Sequence, residues 1–407
     1  RQGWVALMRI FMLCDFFNEE LEYQENHLVD YYRRHGHEVI VVCSLYENVF
    51  DYYTDKKVGG PGRDYEVNGA RIVKLPYRYN ILNRMRAYPK IDGLLEEFEP
   101  DLIFVHDIML NLPECIAYVE KHPQTKMIMD YHADYSNSGK NWISLKILHG
   151  VLRKRFLDKA RPHLSMIYPI VPAGFDFLNE VYGVPRDEMS VLPLGTDLEY
   201  GAQVHASGAG RAIRRELGIA QSDFVIFTGG KLTPFKRTET LIEAVNALDR
   251  ADVHLLVAGA AGPNEAEYFA GLEQMARGNP QIHFRGWQDK PGVYRHLDAA
   301  DIAVFPASQS ILWQQSIGMG LPVIVGDRSK FMVPSDASYL NRNGNLIVLD
   351  HEEETAPQIE RLLRDLIDDR EALAKMAEGA SRTADEMLDW NKLIEETLRH
   401  NRGTGKQ

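Results

Sequence analysis

The chain is poor in cysteine. Three residues, Cys14, Cys43 and Cys115, stand far apart among 407. That excludes a disulfide framework and the paired spacing of a zinc ribbon, and it predicts a reducing compartment, the cytoplasm. No apolar run approaches about 18 residues, so no membrane-spanning helix is expected. Positive charge is also short, with 46 Lys and Arg against 58 Asp and Glu and a net charge of −12. Such a balance argues against a nucleic-acid partner. What the chain does hold is apolar residues, 45% of the total, enough for a large core without staples. Its length suits two domains of about 100–200 residues each. Met8-Arg9-Ile10 reads as a natural start, so residues 1–7 are taken as an upstream extension and left out of the fold reasoning.

The apolar runs alternate with helical periodicity. Segments 9–13, 38–43, 71–75, 102–105, 127–129 and 190–192 predict strands, with a helix over 24–35 closing the first strand–helix–strand unit. A second series starts at 224–228. It continues through strands at 254–258, 282–284, 302–305 and 322–325, with helices at 239–248, 265–277, 293–297 and 313–319. Continuous rather than alternating hydrophobicity points to parallel strands buried on both faces. Two such series predict two doubly wound α/β domains. A Gly/Ala/Ser-rich linker is expected near 195–210, and a helical tail over 358–400.

One segment carries chemistry on its face. The strand from Phe224 runs into Gly229-Gly230-Lys231, and Lys236 follows just before a helix. Glycines let a backbone approach a phosphate, and lysines beside a helix N-terminus supply positive potential. The spacing is neither a P-loop nor a dinucleotide fingerprint, and a plain turn with solvated lysines would look the same. Three further patterns follow in order: Ile282-His-Phe-Arg285-Gly286, Ala299-Ala-Asp301 to Pro306, and Gly320-Leu-Pro322-Val-Ile324.

Together these resemble the C-terminal domain of the family 4 retaining glycosyltransferases. The first half agrees, through Gly36-His-Glu-Val39, Pro100-Asp-Leu-Ile-Phe-Val-His106 and Leu192-Pro-Leu-Gly-Thr-Asp197. The resemblance implies the GT-B fold: α/β, two Rossmann-like doubly wound domains facing a central cleft, with the C-terminal helix crossing back to the first domain. Residues 1–195, with part of 386–407, would form the acceptor-side domain, and 196–385 the nucleotide-sugar domain. It implies transfer of a sugar from a nucleoside-diphosphate sugar to a sugar, glycan, lipid-linked or small-molecule acceptor, without a cofactor or a metal. Gly230, Lys231 and Lys236 would hold the donor diphosphate, and the backbone of Arg285, Gly286 and Trp287 the nucleobase. His132, in Met129-Asp-Tyr-His-Ala-Asp134, would contact the donor sugar; His106, at another strand end, is a further cleft candidate. The histidines at 35, 37, 122 and 163 read as surface residues.

The sequence departs from the family in two places. Two glutamates eight residues apart are expected before Gly320-Leu-Pro322; the second position holds Gln315, and the first falls at Ala307 or in Ser308-Gln309-Ser310. An amide can hold a ribose diol but brings no negative charge. Gln309 and Ser310 are therefore candidate donor-sugar contacts. The loop after the first strand carries Glu22 where a glycine is expected, facing the acceptor or solvent. These departures keep open a non-catalytic GT-B protein that binds a nucleotide sugar or glycan. An epimerase or phosphorylase on the same fold fits less well, since no lysine context for pyridoxal phosphate appears. Finally, residues 140–161 mix apolar and basic side chains. They read as a helix packing its apolar side inward, or as a basic amphipathic helix in peripheral contact with the inner face of a membrane.

Overall fold

The computed structural model describes residues 7–19, 22–47, 58–81, 85–133, 144–307, 309–327 and 337–399. The chain divides into two compact units, 1–193 with 390–407, and 194–389.

The first unit contains β1 (Arg9–Leu13), β2 (Glu38–Ser44), β3 (Arg63–Val67), β4 (Ala70–Leu75), β5 (Tyr79–Ile81), β6 (Met85–Ala87), β7 (Leu102–His106), β8 (Lys126–Tyr131) and β9 (Leu164–Pro169). Seven of them form one sheet in the order β3-β4-β2-β1-β7-β8-β9. Its ladders are parallel except for β3 on β4 at the edge. β5 and β6 pair as a separate antiparallel ribbon. All five β7 side chains are buried, as are the last six of β2, the covering of both faces that continuous apolar strands require.

The second unit holds β10 (Phe224–Lys231), β11 (Val253–Ala260), β12 (Ile282–Phe284), β13 (Ile302–Phe305), β14 (Val323–Val325) and β15 (Leu346–Val348). They form an all-parallel sheet in the order β12-β11-β10-β13-β14-β15. In both sheets the first strand has later strands on either side. The switch points lie between β1 and β7 and between β10 and β13, where open α/β sheets bind ligands.

The last helix, Trp390–Arg399, belongs to the first unit. Trp390, Leu393, Ile394 and Leu398 are buried in one cluster with Ile10, Met12, Leu28, Tyr31 and Tyr32. The Tyr32 hydroxyl meets Thr397 Oγ1 at 2.5 Å, and the His27 ring stacks on Trp390 at 5.4 Å.

Four expectations change. Residues 190–192 are not a strand: the Ser190 and Leu192 amides donate to Ile167 and Pro169 of β9, but Pro193 has no N–H to extend a ladder. β9 itself, which carries Ser165 and ends in Pro169, was not foreseen. The supposed linker is two helices, Leu198–Ser207 and Ala209–Glu216. Its small residues serve close packing, since a Cβ on Gly210 would lie 2.3 Å from the Asp298 carbonyl oxygen. His37 is 2% exposed and accepts the Met8 amide at Nδ1. The unit boundaries fall at 193/194 and 389/390, a few residues from those expected.

Burial of Ile394 at 0% exposure makes the last helix part of the first core. Ile394→Ala should therefore cost about 2–5 kcal/mol. Amide exchange in β1 and β7 should speed up accordingly, and exchange in β10 and β11 should stay unchanged.

Candidate functional site

Each unit gathers polar groups at the carboxyl ends of its central strands. In the second unit the gathering depends on glycine. β10 and β11 run in register to their ends, Gly229 beside Ala258, Gly230 beside Gly259 and Lys231 beside Ala260. A Cβ on Gly229 would lie 2.5 Å from the Ala258 carbonyl oxygen, and one on Gly259 2.3 Å from that of Gly230. Gly230 has φ +98°, open to glycine and strained for other residues. Lys231 closes the strand, exposed. One helical turn, Pro234–Lys236, then brings Lys236 Nζ within 2.6 Å of the Gln309 carbonyl oxygen, to which it donates. Burial of this amine lowers its pKa to about 8. Helix Thr238–Leu248 follows.

Beside this turn lies a pocket of about 460 Å³ lined by Gly259, Ala260, Gly262, Pro263, Phe269 and Gly286 among others. Gly286 has φ +67°, and a Cβ there would meet nothing within 4 Å, so the backbone is open to a ligand's edge. The Arg285 amide donates to the Val257 carbonyl at 2.9 Å. The Arg285 guanidinium reaches Glu216 at 2.6 Å and His296 at 3.1 Å. It is a structural group here, so only its backbone remains a candidate. Trp287 is 63% exposed. Helix Leu312–Gly318 carries Gln315, half-buried, beside the buried Gln314. Ser310 Oγ accepts the Leu312 amide at 3.3 Å, and Gln309 is exposed. Ala307, one of the places where the first glutamate is expected, is a small buried residue. Ser308 lies outside the described residues.

The first unit gathers a different chemistry. His106 ends β7 and Asp130 lies beside it in register on β8. Asp130 is fully buried and its Oδ2 lies 2.8 Å from His106 Nδ1 and 3.4 Å from His132 Nε2. Burial alone would raise the Asp130 carboxyl; His106 and His132 instead hold it well below the usual carboxylate range. Burial would lower the His132 imidazole, but Asp130, with Glu25 and Asp107, lifts it to about 9. Asp107, the residue after His106, takes a left-handed φ of 67° and pairs with Arg153. Such backbone strain gathers at functional sites. One ligand atom each of Glu25, His106 and His132 lies within 4.8 Å of the others. Glu22 instead pairs with His27 at 3.4 Å, and the carboxylate that reaches His106 and His132 is Glu25, in the first turn of the helix Gln24–Arg34. Sequence reasoning missed both Glu25 and Asp130. Asp130 was within reach, because residues two apart on a strand share a face and Asp130 and His132 are two apart.

Of the basic segment, residues 140–143 lie outside the described residues. The rest forms a wide-turned helix, Ser144–Arg153, and an α-helix, Lys154–Ala160. Arg153 turns inward to Asp107, Lys154 holds Asp158, and Arg161 holds Glu188. Leu157 and Ala160 are buried, while Ile147, Val151 and Leu152 are 43–52% exposed. Among the described residues no helix is long and apolar enough to cross a membrane.

Comparison with known proteins agrees with this architecture. A family model described as Glycosyltransferase Family 4 matches residues 26–200, and one described as Glycosyl transferases group 1 matches residues 223–365. The chain is 28% identical over 161 residues to a D-inositol 3-phosphate glycosyltransferase of Geodermatophilus obscurus, covering 35% of this chain and 34% of the relative. It is 30% identical over 155 residues to the protein of that name in Corynebacterium glutamicum, covering 35% and 36%. The match thus spans about a third of the length of these relatives. Among solved structures, Anabaena HepE in complex with UDP superposes at TM-score 0.69 and 17% identity, over 96% of this chain and 100% of that one. A glycosyltransferase of Rickettsia africae gives 0.69 at 12% identity, over 98% of each chain. WaaG, a glycosyltransferase involved in lipopolysaccharide biosynthesis, gives 0.55 at 15%, over 97% and 100%. The shared fold is GT-B.

Proposed function

The chain belongs to the family 4 GT-B glycosyltransferases, and on that premise we propose that it transfers a sugar from a nucleoside-diphosphate sugar to a hydroxyl of a sugar, glycan, lipid-linked or small-molecule acceptor, with retention at the anomeric carbon. The observation that carries the proposal is the end of β10. Two lysines stand beside a glycine-built backbone and next to a pocket of about 460 Å³.

In this reading the nucleobase enters the pocket against Phe269 and the open backbone at Gly286, and Gln315 bonds the ribose. The diphosphate lies along Gly230, Lys231 and Lys236, displacing the Gln309 carbonyl from Lys236. When the bond from the anomeric carbon to the diphosphate oxygen breaks, negative charge grows on that oxygen. The lysines and backbone N–H groups are already in place to stabilise it, so the leaving group needs no metal. His132 is assigned to the donor sugar, the role that the resemblance implies, and the acceptor to the first domain. Exposed Ile147, Val151 and Leu152 beside exposed Lys146, Arg155 and Lys159 support a peripheral membrane contact, which suits a lipid-linked acceptor. The absence of both family glutamates, with Gln315 in the place of the second and Ala307 or the segment 308–310 in that of the first, favours a second reading. In it the chain binds a nucleotide sugar without turning it over. A panel of nucleotide sugars and acceptors, with the product anomer read by NMR, separates the two: retained transfer supports the first, and binding without turnover the second.

Each lysine makes a charge-assisted contact of about 1.5–3 kcal/mol, so Lys231→Ala with Lys236→Ala should weaken nucleoside-diphosphate binding by at least about 100-fold, with the melting profile kept. Affinity should be the same in EDTA and in magnesium. Lys236, at about 8 when free, must be protonated to hold phosphate, which raises its pKa in the complex. Affinity is therefore full below pH 8 and lost above it, falling about tenfold from pH 7 to pH 9. Lys236→Arg should flatten that dependence. Gln315→Glu restores a charged ribose acceptor and should tighten nucleotide binding by up to about tenfold; weaker binding would remove Gln315 from the site.

A further inference from the structure

Asp130 stands where its own strand is otherwise closed to charge. The last five side chains of β8 are buried, and Asp130 is 0% exposed between Met129 and Tyr131. A carboxylate in such a place costs stability unless it is paired, and proteins keep such exceptions where function uses them. We propose that Asp130 is a positioning residue for sugar transfer: it orients the ring of His132 and commits that ring to donating a hydrogen bond to the donor sugar. The proposal rests on the donor-sugar role of His132, and its geometry lies wholly within the first unit.

Three observations carry it. First, Asp130 and His132 are two apart along the chain and share a face, with Asp130 Oδ2 at 3.4 Å from His132 Nε2. Second, the carboxylate is itself held. His106, in register with Asp130 on β7, meets the same oxygen from Nδ1 at 2.8 Å. Its ring is 4% exposed and stacks on Phe104 at 4.4 Å, so the oxygen is fixed before any ligand arrives. Third, the other oxygen, Oδ1, is buried with no hydrogen-bond partner among the described residues. Tying β7 to β8 does not require a half-satisfied carboxylate, since well-packed apolar pairs do so at no loss. His132 completes the picture: its side chain is 37% exposed although Nε2 is buried. The ring is thus anchored at its inner edge and reaches the surface at its outer one.

The charges around the ring agree. Burial would lower the imidazole, whereas Asp130 first, then Glu25 and Asp107, lift it to about 9. Asp107 is itself paired with Arg153, which leaves Asp130 the chief of the three. An imidazolium donates from both nitrogens and accepts at neither. With Nε2 turned to Asp130, donation to a sugar oxygen falls to Nδ1. A neutral ring with its proton on Nε2 would instead present Nδ1 as an acceptor. Asp130 thereby decides the sense of the hydrogen bond that His132 makes, although it does not touch the sugar.

The test reads the ring and the sugar separately. In the full chain carrying isotope-labelled histidine, the His132 signals are assigned by their loss in His132→Gln and titrated by NMR. The wild-type ring should titrate near pH 9. In Asp130→Asn, which keeps the side-chain shape, it should titrate about 1–3 pH units lower. A wild-type ring already neutral at pH 7 overturns the proposal without any change at Asp130, and so does a ring that titrates alike in Asp130→Asn. The affinities of two probes, UDP-glucose and UDP, are measured on the same samples. Their ratio largely cancels the titration of Lys236, which both ligands share. It should fall about tenfold from pH 8 to pH 10 in the wild-type chain. It should be low and flat in Asp130→Asn and in His132→Gln, with no further loss in the double variant. A wild-type ratio that does not change with pH, or the same fall in Asp130→Asn, contradicts the proposal. UDP that fails to bind contradicts the donor site of the second domain instead, and the imidazole titration still decides whether Asp130 holds His132.

Discussion

A parallel strand covered by helices on both faces has no side chain free for polar work until it leaves the sheet. The buried lengths of β1, β2, β7, β10 and β11 obey this constraint, and the rest of the molecule follows from it. Chemistry collects at the carboxyl ends, beside the points where strand order reverses: His106 and Asp130 at one end, Gly230 and Lys231 at the other. Glycine matters at the second end because β10 and β11 stay in register to their last residues. A single Cβ on Gly259 would meet the Gly230 carbonyl at 2.3 Å.

The two strand-end clusters are built on opposite charge logic. On the second domain Lys236 donates to the Gln309 carbonyl and Lys231 stands exposed at the end of β10, an arrangement that gains by receiving an anion. On the first domain a buried aspartate lies against two histidines with Glu25 nearby, an arrangement that holds a proton on His132. Where the resemblance implies two glutamates, this chain carries no carboxylate: Gln315 stands at one position, and Ala307, packed into the core, or the segment 308–310 at the other. If the donor sugar is held in this protein, amide and backbone contacts hold it where relatives use carboxylates.

Much of this was legible in the sequence, for reasons that can be named. β10 to β14 are largely apolar runs, broken only by Thr228, His254 and His283, that end at glycine or proline. The order of short motifs from Gly230 to Ile324 is specific although each motif alone is weak. The return of the last helix was visible in the apolar strip of Trp390, Leu393 and Ile394. What was not legible lacked a local signal. β3 alternates charged residues at an antiparallel edge, and β9 contains Ser165 and Pro169. The segment 195–210 has linker composition because its small residues pack tightly. Arg285 sits in a nucleotide-binding motif, yet its side chain is taken by Glu216 and His296. Glu25 could not be found from spacing at all, because the fold brings it to His106 from 81 positions away.

The central claim is that the end of β10 is a diphosphate site. It is tested most directly by comparing the affinities of a nucleoside, its monophosphate and its diphosphate at pH 7 by calorimetry. If Lys231 and Lys236 hold the phosphates, the diphosphate should bind at least about 100-fold more tightly than the nucleoside, since two charge-assisted contacts are worth about 3 kcal/mol or more. The monophosphate should fall between them. Equal affinity for all three would place recognition in the base pocket alone and contradict the account.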